Sequence, residues 1–148
     1  MTNLIERLRN EGFVSLGYAK WVDGKGLQIE NLDKIDPEAP GVYVMHHEGE
    51  VYKVGKSSAK LINRLKGYRG FDTPAWGKDA SSVKQREAIK ENGLVGMSVM
   101  FIQPKKTLTE WMHFCIHTDG WSFDAHDLEK QLKKLAEIEG HRLAFGSK

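Results

Sequence analysis

The chain has 148 residues, of which 40% are hydrophobic and 28% are charged, the size and balance of a single globular domain. Its one cysteine, Cys115, excludes an intrachain disulfide, and no signal-peptide pattern follows Met1. No apolar stretch approaches the roughly 20 residues that span a bilayer. We therefore expect one compact cytoplasmic domain with no membrane partner.

The positive charge is concentrated in one segment of the chain. The formal net charge is +2, yet residues 51–70 carry +6 and no acidic residue, which leaves −4 for the remaining residues. Tyr52 and Tyr68 lie within this segment, and cations mixed with aromatic residues favour contacts with phosphate. A plain solvated basic face is the alternative interpretation. The six cations are Lys53, Lys56, Lys60, Arg64, Lys66 and Arg69.

The first 40 residues predict a short helix followed by a small β element. Asn3 and Glu6 have the spacing of a capping box at the start of the helix. Asp23-Gly24 then separates two apolar runs, and this dipeptide is a strong hairpin signal. We expect residues 1–40 to form an N-terminal extension of the main domain, which occupies residues 41–148.

Two strands joined by a tight turn are predicted from Gly41 onward. The sequence GVYVM is followed by HHEGE and then by VYKVG, a pattern typical of a hairpin. A helix with an apolar inner face comes next, and either Ser57 or Ser58 is suited to be its N-cap. Arg64 and Tyr68 are four residues apart, so they share the other face of this helix.

A further helix and strand are predicted in the second half of the chain. Ser82 and Gln85 form a second capping box, and Asn92-Gly93 is expected to end that helix. The β-rich stretch 94–102 predicts a strand. Residues 109–118 fit either a strand or a helix, and their alternating apolar residues favour the strand.

The last helix has the clearest boundaries in the sequence. Asp124 is its expected N-cap and Gly140 its expected end. An apolar stripe runs between them, and Glu129 lies at the edge of that stripe. A carboxylate in this position is suited to a site at the border of the buried face. The stripe consists of Leu128, Leu132 and Leu135.

Taken together, these segments resemble the GIY-YIG nuclease superfamily. Gly41-Val42-Tyr43 matches the first motif, and Lys53-Val54-Gly55 matches the second. Arg64 matches the arginine of the following helix, and Glu129 matches the metal-binding glutamate of the last helix. The resemblance covers residues 41 to about 139. It implies an α+β fold in which helices flank a small central antiparallel sheet, with the extension at the N-terminus.

Two positions depart from the commonest pattern of the superfamily. Lys53 stands where most members have Tyr, and Tyr68 stands where many have His. Both resemble substitutions in a branch that includes phage-borne proteins and a Type II restriction endonuclease. The resemblance therefore implies a metal-dependent endonuclease for double-stranded DNA, of restriction, phage or homing type.

The five matched residues suit the hydrolysis of a phosphodiester bond. Glu129 can hold one Mg²⁺ or Mn²⁺ ion, with Glu110 as the alternative ligand, and Arg64 offers a two-pronged donor to the scissile phosphate. Tyr43 is the expected acceptor of the proton of the attacking water, and Lys53 beside it is expected to lower its pKa. Tyr68 is placed to contact the same phosphate or water.

The proposed role of Lys53 requires a particular hairpin register. A two-residue turn at Glu48-Gly49 would place Lys53 on the face opposite Tyr43. A three-residue turn, His47-Glu48-Gly49, pairs Tyr43 directly with Lys53 and is therefore the register that we expect. It sends Val42, Val44, Tyr52 and Val54 toward the core and leaves Tyr43 and Lys53 facing a groove.

Double-stranded DNA is the expected partner, with phosphates bound by Lys56, Lys60, Lys66 and Arg69. A double-strand cut needs two active sites, so a homodimer or transient pairing is also expected. A non-catalytic nucleic-acid-binding or regulatory module of the same fold is the second hypothesis, and a module that binds an acidic protein is the third. Taken singly, each residue has a structural explanation, and for Glu129 it is an ion pair with Lys133 one helical turn later.

Overall fold

The computed structural model describes residues 3–70, 80–111 and 116–143. Short 3₁₀ turns at Leu32–Lys34 and Tyr68–Gly70 accompany the regular elements. In chain order these are α1 (Leu4–Asn10), β1 (Val14–Val22), β2 (Gly26–Ile29), β3 (Gly41–His47), β4 (Glu50–Ser57), α2 (Leu61–Gly67), α3 (Ala80–Val95), β5 (Met97–Ile102), β6 (Lys106–Trp111), β7 (Ile116–Trp121) and α4 (Ala125–Ile138).

Five strands form one antiparallel sheet in the order β2-β1-β5-β3-β4. β6 and β7 pair only with each other in the described part of the chain, as a separate antiparallel ribbon. The predicted α+β fold with a central antiparallel sheet is confirmed. The β1–β2 hairpin of the N-terminal extension belongs to the same sheet, because β1 pairs with β5.

Helices pack on both faces of the sheet, so the sheet separates two hydrophobic cores. On one face, α2 contributes Leu61 and Leu65 to a core that also contains Tyr43 and Met45. On the other face, α1 and α4 pack over the valines of β3 and β4. The sequence predicted that Val42, Val44, Tyr52 and Val54 share one side of the sheet. This is confirmed for the three valines, which lie in the core under α1 and α4. Tyr52 packs against the core on the other side.

Helix starts were predicted well wherever a side chain caps the helix. The Asn3 side chain accepts a hydrogen bond from the Glu6 amide at 2.8 Å, and the Asp124 side chain accepts one from the Asp127 amide at 3.0 Å. The prediction that Ser57 or Ser58 caps α2 was wrong, because β4 continues through Ser57. Its N-cap is Lys60, which makes no side-chain capping bond.

The predicted end of α3 was also wrong, since the helix runs past Asn92-Gly93 to Val95. A β-carbon at Gly93 would lie 2.8 Å from Leu27 and 3.0 Å from Trp21, so this glycine allows α3 to approach the sheet closely. Gly96, at φ 91°, follows the true end. Ser82 lies inside α3 and is therefore not its N-cap.

The ambiguous stretch at 109–118 is extended on both of its described sides. β6 reaches Trp111, β7 begins at Ile116, and residues 112–115 lie outside the described residues. The preference for a strand is thus confirmed where the structure describes the chain. Among all the residues that the structure describes, no helix is long and apolar enough to cross a membrane.

Candidate active site

The turn between β3 and β4 has two residues, Glu48 and Gly49, both with positive φ. His47 pairs with Glu50 across it, so the expected three-residue turn was wrong. Positive φ at both central positions is the requirement of a type I′ turn, whose twist matches that of the strands it joins.

With a two-residue turn and a regular ladder, Lys53 and Tyr43 would lie on opposite faces of the sheet. A β-bulge at Tyr52 prevents this. His46 pairs with Val51 while Met45 pairs with Lys53, so Tyr52 is an extra residue on β4. The expected direct pairing of Tyr43 with Lys53 was wrong, because Tyr43 lies opposite Gly55. The bulge adds one residue, however, and therefore keeps Lys53 on the same face of the sheet as Tyr43.

Gly55 gives the Tyr43 side chain the space that it occupies. A β-carbon at position 55 would overlap the ring and the hydroxyl group of Tyr43, so the ring lies directly over the glycine backbone. Gly55, the last residue of the second motif, is therefore needed because a larger residue would exclude the ring of Tyr43, the tyrosine of the first motif.

Tyr43 meets Tyr68 beneath α2. The two hydroxyl groups share a hydrogen bond, and the rings meet edge to face with their centroids 6.0 Å apart. Both side chains are buried, with exposed fractions of 0% and 2%. Arg64, which is exposed on α2, lies close enough for its positive charge to act on the Tyr43 hydroxyl. The helix therefore brings a cation and a second phenol to Tyr43, as the spacing of Arg64 and Tyr68 predicted.

The pKa of Tyr43 is raised from its ordinary value, mainly because burial disfavours the phenolate. The hydrogen bond with Tyr68 and the charge of Arg64 oppose this effect without overcoming it. Burial and the neighbouring Tyr43 raise the pKa of Tyr68 even further. The expectation that Lys53 lowers the pKa of Tyr43 was wrong, because Arg64 is the cation that acts on this hydroxyl.

Lys53 is buried, with an exposed fraction of 2%, and does not face an open groove as expected. Burial lowers the pKa of its ammonium group to about 8, and the positive charges of Lys133 and Arg64 contribute to the shift. Glu129 acts in the opposite direction. Lys53 is therefore a cation held among other cations, with only partial compensation by a carboxylate.

Glu129 lies on α4, which packs against β4 at the edge of the sheet. Its carboxylate oxygen is 3.4 Å from the ammonium nitrogen of Lys133, so the ion pair offered as its structural explanation is present. The negative charge of Glu129 also acts on Tyr43, Lys53, Arg64 and Tyr68. All five matched residues consequently belong to one electrostatic cluster.

A divalent metal would find one suitable carboxylate in this cluster. No group of three or more His, Cys, Asp or Glu side chains able to hold a metal occurs among the described residues. One carboxylate suits Mg²⁺ or Mn²⁺ when water and a substrate phosphate supply the other oxygen ligands. Glu129 fits that requirement, and the side chain of the alternative ligand, Glu110, lies outside the described residues.

The basic segment offers fewer unengaged cations than its sequence implied. Lys60 forms an ion pair with Glu38 at 3.3 Å, and the Arg69 guanidinium donates to the Ile29 carbonyl at 3.1 Å. Lys56 donates to the Ser58 hydroxyl at 3.3 Å, whereas Lys66 is exposed. Arg69 in particular holds the turn after α2 against β2.

Sequence comparison gives no relatives, since the chain matches no described protein family and no curated protein. Structural comparison finds a solved structure of the restriction endonuclease HPY188I in complex with product DNA. The chain shares its fold with that restriction endonuclease. The similarity covers 95% of this chain and 82% of that chain at a TM-score of 0.51, with 14% sequence identity. At this identity the similarity establishes the shared fold and nothing finer.

Two residues of the site were underestimated from the sequence. The sequence indicates Lys133 only as an ion-pair partner of Glu129, yet Lys133 also contributes to the low pKa of Lys53. It indicates Gly55 only as the last residue of the second motif, yet the missing side chain of Gly55 leaves the space that the Tyr43 ring occupies. The four-residue spacing of Glu129 and Lys133 signals their contact in the sequence, whereas the proximity of Gly55 to Tyr43 depends on the bulge.

Proposed function

We propose that this protein is an endonuclease that hydrolyses phosphodiester bonds in double-stranded DNA, with one Mg²⁺ or Mn²⁺ ion per site, and that it is related to the GIY-YIG nucleases. The observation that carries the proposal is the single cluster built from separate parts of the chain. β3 supplies Tyr43, β4 supplies Lys53, α2 supplies Arg64 with Tyr68 at its C-cap, and α4 supplies Glu129. Their joint position supports catalysis better than any one of them.

The substrate class is supported by the fold and by the chemistry of the cluster. HPY188I is a restriction endonuclease whose structure was solved with product DNA. Arg64 is exposed on α2 while its guanidinium contacts a buried phenol, so it can still reach a phosphate at the surface. A double-strand break would need two such sites, which supports a homodimer or transient pairing on DNA.

Glu129 is the residue that would hold the metal ion. When bound, the ion would stabilise negative charge on the phosphoryl oxygens and lower the pKa of a bound water. Arg64 would orient the scissile phosphate and share its charge. Tyr43 and Tyr68 would fix the position of Arg64 from below, because both are packed in the core.

Lys53, and not Tyr43, is the residue to which we assign the role of accepting the proton of the attacking water. A phenol with a raised pKa is protonated at neutral pH and cannot accept a proton, whereas an amine with a pKa of about 8 is partly neutral there. Cleavage should therefore become faster as pH rises toward about 8, and the inflection should lie at or below that pH because a divalent ion at Glu129 disfavours the ammonium form further. Tyr43→Phe should keep this inflection and Lys53→Met should lose it; the opposite pattern would return the role to Tyr43.

The decisive experiment is plasmid cleavage by the purified protein with Mg²⁺, Mn²⁺ or EDTA. We expect metal-dependent linearisation or nicking that is abolished in Glu129→Gln, while DNA binding without metal stays similar or becomes tighter. The matched control is Glu91→Gln, which removes one exposed carboxylate from α3 and should cleave like the parent. Strong cleavage by Glu129→Gln would reject Glu129 as the metal ligand.

The burial of both tyrosine hydroxyls and of the Lys53 side chain favours one alternative, a non-catalytic DNA-binding module of the same fold. The same experiment separates the two functions. A module would bind duplex DNA and shift its mobility, yet would leave the plasmid intact at every metal concentration. Any cleavage that requires the metal and Glu129 excludes the module.

A further inference from the structure

A groove of about 1070 Å³ runs along α4 beside Glu129, and none of the six cations of the basic segment lines it. It is lined by side chains of α4, by Val54 of β4 and by the segment that follows the helix. Four of its lining residues are cations. They are Lys130, Lys133, Lys134 and Arg142.

The segment after α4 is held firmly against the edge of β4. The Val51 amide donates to Nδ1 of His141 at 3.0 Å, and the Leu143 amide donates to the Val51 carbonyl at 3.1 Å. The Arg142 amide donates to the Glu50 carboxylate at 2.7 Å, and its guanidinium lies 6.0 Å from the centre of the Tyr52 ring. One wall of the groove is therefore formed by ordered backbone contacts.

Two lysines of the groove have charges that the described structure does not neutralise. Lys130 and Lys134 are exposed, and neither has an ion pair or hydrogen bond with a described residue. They are four residues apart and therefore lie above one another on the same face of α4. In contrast, Lys60 and Arg69 of the basic segment are already engaged by Glu38 and by the Ile29 carbonyl.

The groove extends from the candidate metal ligand toward the end of α4, with acidic and basic side chains along its wall. Glu129, Lys133 and Glu137 follow one another at four-residue intervals beside Lys130 and Lys134, and the rise from Glu129 to Glu137 is roughly 12 Å at 1.5 Å per residue. That length corresponds to about three to four base pairs of duplex at 3.4 Å each. A DNA strand whose phosphate lies at Glu129 could thus continue along the groove.

We propose that this groove binds the phosphate backbone of the DNA strand that continues from the scissile phosphate past Glu129. Lys130 and Lys134 are its phosphate contacts. The inference rests on the proposed nuclease function and assigns it a second binding surface. Lysine ammonium groups act as point charges, so the contacts are independent of base sequence. Continuity with Glu129 favours DNA over an acidic protein, which would not need to reach the catalytic cluster.

The test measures duplex binding without metal as a function of salt for the full-length protein and for Lys130→Ala/Lys134→Ala. Loss of two phosphate contacts should reduce the slope of log K against log salt by about 1 to 2 and weaken binding about tenfold near 0.1 M salt. The matched control is Lys20→Ala/Lys25→Ala, which removes the same charge from the β1–β2 hairpin at the opposite edge of the sheet. Thermal unfolding should be unchanged in both variants, since all four side chains are exposed.

The outcomes separate this inference from the proposed function. Equal slopes and affinities for the parent, the α4 variant and the hairpin variant would overturn the groove assignment while leaving DNA binding intact. An equal loss in both variants would also overturn it, because the effect would then follow net charge alone. If the parent itself does not bind duplex DNA, the proposed function fails, and the groove assignment fails with it.

Discussion

Lys133 holds its ammonium nitrogen 3.4 Å from the carboxylate of Glu129, one turn earlier on α4. The carboxylate that we assign to the metal is thus neutralised by a cation of the same helix when no metal is bound. A divalent ion bound to the same carboxylate would be repelled by this ammonium group. Lys133 and a metal therefore compete for Glu129.

Removing that competitor should strengthen metal binding. For Lys133→Met we expect the Mn²⁺ concentration for half-maximal cleavage at saturating DNA to fall about two- to fivefold, the equivalent of an ion pair of about 0.5 to 1 kcal/mol. Mn²⁺ binding measured by electron paramagnetic resonance should show the same shift. Lys20→Met, on the distant β1 strand, is the control for net charge. An unchanged Mn²⁺ requirement in Lys133→Met would show that the two cations do not compete.

Gly55→Ala tests whether Tyr43 must lie over a glycine. The added β-carbon would overlap the Tyr43 ring, so the ring must move away from Tyr68 and Arg64. We expect the melting temperature to fall and cleavage to decrease at least tenfold, with a destabilisation of about 1 to 3 kcal/mol from overpacking. Thermal melts and single-turnover cleavage would measure both effects.

Gly67→Ala is the matched control for that substitution. Gly67 ends α2, and a β-carbon there would meet no atom within 4 Å among the described residues. Alanine is favoured over glycine in a helix, by up to about 1 kcal/mol in its interior, so this variant should be as stable as the parent or slightly more stable. Full cleavage activity in Gly55→Ala would contradict the assigned position of Tyr43.

The hydrogen bond between the Tyr43 and Tyr68 hydroxyls should make the effects of Tyr43→Phe and Tyr68→Phe on the free energy of unfolding non-additive. Each single change to Phe leaves a buried hydroxyl without this partner and should cost about 1 kcal/mol or more of unfolding free energy. The double variant removes both hydroxyls and should be more stable than the sum of the single effects predicts. Urea unfolding of the four proteins measures this coupling, and strict additivity would mean that the hydroxyls do not interact energetically.

The sequence predicted the elements whose signals are local. The caps at Asn3 and Asp124 and the Asp23-Gly24 turn depend on residues only a few positions apart, and each was found where expected. Gly93 shows why other boundaries were missed. It has the composition of a helix stop, yet its contacts with Trp21 and Leu27 decide its role, and these residues are more than 60 positions earlier in the chain.

The candidate site was predicted by residue type but not by environment. Motif spacing pointed to Tyr43, Arg64 and Glu129, and the structure brings them into one cluster. Their burial could not be predicted, because it follows from how α2 packs its leucines on the sheet. The bulge at Tyr52 could not be predicted either. A two-residue turn leaves Lys53 on the same face as Tyr43 only if β4 contains one extra residue in its pairing with β3.

The burial of Lys53 should make the stability of the fold depend on pH. Its pKa in the folded protein is about 8, below the ordinary value of 10.5, because burial and nearby cations disfavour the ammonium form. Between these two pH values the unfolded chain binds more protons than the folded one, so the stability of the parent should rise as pH increases through that window. Lysine 53 therefore destabilises the fold most strongly at pH 7 and below.

Lys53→Met should remove this penalty while slowing cleavage strongly. We expect the variant to exceed the parent in unfolding free energy by up to about 3 kcal/mol at pH 7, and this excess should shrink progressively toward pH 9.5. Measurements should stop there, because Tyr43 and Tyr68, whose pKa values are raised, begin to contribute in the opposite direction above that pH. Urea unfolding at pH 7, 8, 9 and 9.5 would give the comparison. A constant stability difference across these pH values, or a variant less stable than the parent at pH 7, would show that Lys53 is not held as a strained buried cation. In that case the proton-accepting role assigned to it would lose its basis.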